Sequence, residues 1–79
     1  TTLFRSEGSH TVVKIHTPSH VVGYSIADAK VNERYGVTVV GIKAPGSEFQ
    51  YGSKELVMHR NDDLVIMGKQ DNIDKFIRG

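Results

Sequence analysis

Apolar and polar residues alternate along Thr11-Val12-Val13-Lys14-Ile15-His16-Thr17, with Val13 and Ile15 on one face and Lys14 and His16 on the other. That two-residue period predicts a β-strand with one buried face, ended by Pro18. Residues 37–42 are instead nearly all apolar, which predicts a strand covered on both faces. Gly41 inside that run predicts a bulge or a close backbone approach. Leu64-Val65-Ile66-Met67 predicts a second buried strand, entered through a tight turn at Asn61-Asp62. Phe49-Gln50-Tyr51 alternates over a shorter span and fits a brief strand between turns at Ala44-Pro45-Gly46-Ser47 and Gly52-Ser53-Lys54. Leu56-Val57-Met58 is too short to assign.

Helical spacing occupies the gaps. Ala27, Val31 and Tyr35 fall at i, i+4 and i+8 and make one apolar stripe, with Lys30 and Arg34 as a second row. Ser25 is placed as the N-cap with Asp28 three residues on, close to a capping box. An acid there also suits the positive end of the helix dipole. Gly36 fits the left-handed turn that ends such a helix. Asp71 is read as the cap of a final helix, with Asp74 three residues later and Ile73, Phe76 and Ile77 on one face. Residues 1–10 read as a linker or N-terminal extension, polar and glycine-containing at Ser6-Glu7-Gly8-Ser9-His10, and residues 11–79 as one domain.

Composition narrows what such a domain does. Seventy-nine residues form one domain at most, and a core of that size rarely supplies more than about 3–5 kcal/mol by itself. With no cysteine, disulfides and thiolate metal sites are excluded, so association with a partner subunit is the expected support. Ten Lys/Arg and nine Asp/Glu are interspersed, giving a formal charge of +1 and no basic stripe of the kind that binds DNA or RNA. No apolar run approaches the ~20 residues of a membrane span, and the first residues have no apolar segment of a signal peptide. The chain opens without methionine, which fits a segment of a longer protein or a processed start.

No residue set reads as catalytic or metal-binding. His10, His16, His20 and His59 include no HxH or HExxH spacing and no helical i, i+4 pair. Asn61-Asp62-Asp63 and Asp71-Asn72-Asp74 lack the alternating oxygen ligands and late glutamate of a calcium loop, and turns and caps account for them. No GxSxG elbow, GxGxxG or GxxxxGK[ST] occurs among the eight glycines. Lys30, Arg34, Lys14 and Lys43 fit an anion site less well than a solvated face.

From about Val12 to Gly79 the chain resembles the RCK C-terminal domain, also called the TrkA C-terminal domain. The resemblance is carried by Gly23, Ser25-Ile26, Asp28, Tyr35-Gly36-Val37, Val39-Val40, Ile42, Asp62, residues 64–67, Gly68, Ile73 and Phe76, in that order. It implies an α+β fold, a small β-sheet packed with two helices, paired as a homodimer. It further implies a cytoplasmic regulator lying against the inner face of the plasma membrane through a membrane-embedded cation channel, transporter or antiporter subunit. In many such proteins a nucleotide-binding Rossmann lobe comes before this domain.

Several bacterial members bind cyclic di-AMP between two protomers, and the matching positions here are Ile26, Val31, Asn32 and Thr38. The late-helix position is often arginine in nucleotide binders. Asn32 can hydrogen-bond a phosphate but brings no charge. Asn61-Asp62 also replaces a Gly-Asp pair, a change confined to a turn. The expectation is therefore a non-enzymatic, dimeric sensor of potassium or cation transport, with no cofactor and with cyclic di-AMP as its small nucleotide ligand. The alternative is a purely structural assembly module with no small-molecule ligand, which Asn32 favours.

Overall fold

The computed structural model describes residues 2–5 and 10–79. Its strands are β1 (Thr2–Arg5), β2 (His10–His16), β3 (Thr38–Lys43), β4 (Gln50–Tyr51) and β5 (Asp63–Lys69); its helices are α1 (Ile26–Ala29), α2 (Val31–Tyr35) and α3 (Gln70–Arg78), with a 3-10 turn at Ser19–Val21. The strands form a sheet in the order β1-β2-β5-β3-β4, every neighbouring pair antiparallel. The α+β class implied by the family resemblance is the one observed. β1 lies within the stretch read as an extension and pairs with β2 as an edge strand; residues 6–9, read as part of a linker, fall outside the described residues.

β5 sits between β2 and β3 and is antiparallel to both, so β2 and β3 run parallel with a strand inserted between them. The helical segment between them is the crossover that a parallel pair requires. Side chains line up in rows across the three central strands. Val13, Ile66 and Val39 make one row, and Ile15, Leu64 and Ile42 the next. The register of β3 against β5 shifts between Val39 and Gly41, a bulge at Val40. Residues three apart on a regular strand face opposite ways; the bulge lets Val39 and Ile42 both bury in the core. The run over residues 37–42 is therefore not covered on both faces, since Thr38 is exposed and Val40 only half-buried. Gly41 leaves room for the ring of Phe49, which would meet an added Cβ at 2.0 Å.

α2 and α3 pack beside each other on the inner face, closing Val31, Val37, Met58, Ile73 and Phe76 over the rows of the sheet. His20, Tyr35 and Phe76 form an aromatic cluster at one end, with ring centroids 5.5–5.7 Å apart. α3 begins one residue earlier than its expected cap. Lys69 occupies the N-cap without a side-chain bond, and Asp71 lies in the first turn, where its charge suits the dipole. Ile77 stays exposed, so the buried stripe of α3 is Ile73 and Phe76.

The helix expected as one continuous stripe is broken. Lys30 adopts φ 51°, ψ 45°, the left-handed region, and ends α1 while starting α2. The break changes the phase of the buried face: Ala29 and Val31 are buried, Tyr35 is half-buried and Ala27 is exposed. Gly36 caps α2 with φ 70°, and its amide bonds Asn32 O at 2.8 Å, the left-handed ending that glycine adopts without a Cβ clash.

Candidate functional site

The start of α1 is clamped from two sides. Ser25 Oγ accepts the amide of Asp28 at 3.0 Å, the expected cap. The amides of Ile26 and Ala27 bond Leu56 O at 2.9 Å and Lys54 O at 3.1 Å. Ser25 bridges Val57, and Tyr24 O accepts the Met58 amide at 2.9 Å. The segment left unassigned in sequence thus holds the helix start. The first-turn amides, which an open helix end would offer to an anion, are already satisfied.

This clamp shapes a mostly apolar groove of about 340 Å³. It is lined by Ile26 of α1 with Val31 and Asn32 of α2, the two helices meeting at the left-handed Lys30. The floor is Val37, Thr38 and Val39, where β3 begins. The far wall is Gly52, Ser53 and Lys54. Asn32 Nδ2 donates to Thr38 Oγ1 at 3.4 Å, an exposed bond between two lining residues. The groove's volume lies at the small end of the range for ligand pockets.

The structure brings Ile26, Val31, Asn32 and Thr38 together in this groove. Sequence reasoning missed Gly52, Ser53 and Lys54, which it read only as a turn. No spacing rule links them to residues 26–38; backbone bonds formed on folding do. A second concavity of about 270 Å³ is lined by His20, Tyr24, Asp28 and Arg34 among others, and its opposed charges do not select one class of ligand. Arg34 lies over the Tyr35 ring at 5.4 Å and Lys43 Nζ donates to Ala44 O at 3.2 Å, each serving its own locality.

The histidines and acids are similarly local. His16 Nδ1 meets Asp63 Oδ1 at 2.8 Å across the β2–β5 ladder. Asp62 is buried; its Oδ2 accepts the His59 amide at 3.1 Å, and its carbonyl accepts the amide and hydroxyl of Thr17 at 3.1 and 3.0 Å. That is turn chemistry at the expected Asn61-Asp62 position. Among the described residues no group of three or more His, Asp or Glu is placed to hold a metal ion.

The fold matches the solved C domain of the RCK potassium transport protein KtrA in complex with cyclic diadenosine monophosphate, with a TM-score of 0.77, 24% identity, and 87% of this chain and 81% of that one covered. It also matches the GsuK channel bound to NAD, with a TM-score of 0.76, 19% identity, and 89% of this chain and 13% of that one covered. The TrkA-C domain family model matches residues 10–78, and the chain belongs to that family. Among curated proteins it is 27% identical over 67 residues to Ktr system potassium uptake protein C of Bacillus subtilis (strain 168). That match takes in 85% of this chain but only 30% of the relative.

Proposed function

We propose that this chain is a ligand-sensing regulatory domain of a potassium or cation transport system, and that it binds cyclic di-AMP in a groove completed by a second copy. The unit is residues 11–79, with residues 1–10 as an extension. The observation that carries the reading is the convergence of Ile26, Val31, Asn32 and Thr38 on one groove. The TrkA-C membership and the KtrA likeness support it. Half-buried Ile26 offers apolar surface to a base, with buried Val31 packed behind the groove, while Asn32 and Thr38 offer hydrogen bonds to the sugar–phosphate frame.

A two-fold ligand suits a two-fold pair because each half meets identical groups. Binding favours one relative orientation of the two copies, a population shift, and that rotation passes to a membrane-embedded channel, transporter or antiporter subunit. The domain sits on the cytoplasmic side in this reading, and it binds without catalysing a reaction.

A second reading is a structural assembly module without a ligand, favoured by Asn32 at a position where a nucleotide binder gains from arginine. Calorimetric titration with cyclic di-AMP, alongside NAD, separates the two. Saturable binding of one cyclic dinucleotide per dimer, weakened by Thr38→Ala and strengthened by Asn32→Arg, supports the sensor. No binding, with both variants altering only dimer stability, leaves the structural module.

A further inference from the structure

We propose that Lys54 supplies the positive charge that holds the ligand's phosphate, so that the ionic contact comes from the loop after β4 and not from the Asn32 position of α2. The inference rests on the nucleotide-binding reading above. Lys54 is the only charged residue among those lining the groove, and no carboxylate lies there to neutralise it. It also has no salt-bridge partner among the described residues.

Its backbone is fixed. Lys54 O accepts the Ala27 amide at 3.1 Å, and two residues before it Gly52 N donates to Val40 O at 2.8 Å. The residue therefore stays on the groove's edge while its exposed side chain remains free to reach inward. No other group in the groove supplies a positive charge. The first-turn amides of α1 are bonded to Ser25 Oγ, Leu56 O and Lys54 O, and Asn32, which keeps a donor for a hydrogen bond, carries no charge. A lysine ammonium is a compact charge with three donors, suited to one phosphate. Two copies related by a two-fold axis present two such lysines, one for each phosphate of a cyclic dinucleotide.

Calorimetric titration of cyclic di-AMP into wild type, Lys54→Gln and Lys54→Arg tests this, with light scattering to check that the variants keep the wild-type oligomeric state. All variants retain the structural bond, because it uses the backbone carbonyl. Lys54→Gln is expected to weaken binding about 10-fold or more and to flatten its dependence on salt, while Lys54→Arg keeps most of the affinity. Binding by Lys54→Gln within about twofold of wild type, with the salt dependence unchanged, overturns the role of Lys54 and leaves the groove intact as a site. Wild-type protein that does not bind overturns the nucleotide reading and this inference with it.

Discussion

His20 Nε2 lies 2.6 Å from the backbone oxygen of Phe76, so the 3-10 turn after β2 is tied to the last turn of α3 across 56 residues. With that nitrogen protonated, the ring donates to a carbonyl that has no partner inside the helix. The same ring packs against Tyr35 and, edge-on, against Phe76. His20→Ala removes the bond and both ring contacts and is expected to destabilise the domain by about 1–3 kcal/mol. His20→Phe restores packing but leaves the carbonyl unpaired, and should fall between the two. Urea unfolding followed by circular dichroism measures both; stabilities equal to wild type contradict the account.

Lys30 holds a left-handed conformation that non-glycine residues enter at a cost of roughly 1–2 kcal/mol. Asparagine tolerates that region better. Lys30→Asn is expected to raise the melting temperature by a few degrees, a gain of about 0.5–1 kcal/mol, whereas Lys30→Val should lower it. A thermal melt in which Val is the more stable would refute the strained geometry of the α1–α2 joint.

Gly52 has no space for a side chain. An added Cβ would sit 2.3 Å from Val39 O, which is backbone and cannot rotate away. Gly52→Ala must push the loop off β3 and break the Gly52 N–Val40 O bond. The expected cost is about 1–3 kcal/mol, with loss of ligand binding because the far wall of the groove moves. Chemical-shift changes confined to residues near 39–40 and 52–54 would place the effect; an unperturbed spectrum would rule it out.

Phe76 is fully buried and joins the aromatic cluster to the core. Phe76→Ala is expected to cost about 3–5 kcal/mol, comparable with the whole stability of a domain this small. The variant should be largely unfolded at room temperature by circular dichroism, and a cooperative melt near the wild-type midpoint would refute this.

Much of the fold was legible because its signals are local. The alternation around Val13 and Ile15, the Ser25 cap and the left-handed Gly36 each depend on a few neighbouring residues, and each appears where the pattern placed it. Gly41 was legible as a bulge or close approach, and it adjoins both a register shift and the Phe49 ring. The helix stripe through Ala27 was misplaced because it assumed an unbroken 3.6-residue period. Lysine carries no signal for a left-handed joint, so the break at Lys30 could not be read.

Sequence by itself determined the central strands β2, β3 and β5, the Ser25 and Gly36 caps and the absence of familiar catalytic spacings, since those follow from short-range periodicity and the chemistry of single side chains. Tertiary structure alone decided that Lys54 and Leu56 carbonyls satisfy the first amides of α1. It also decided that Val39 and Ile42 share one face through the bulge at Val40. Both depend on pairing between segments more than ten residues apart, and such pairing is chosen by the collective packing of the core, which no local window of the chain contains.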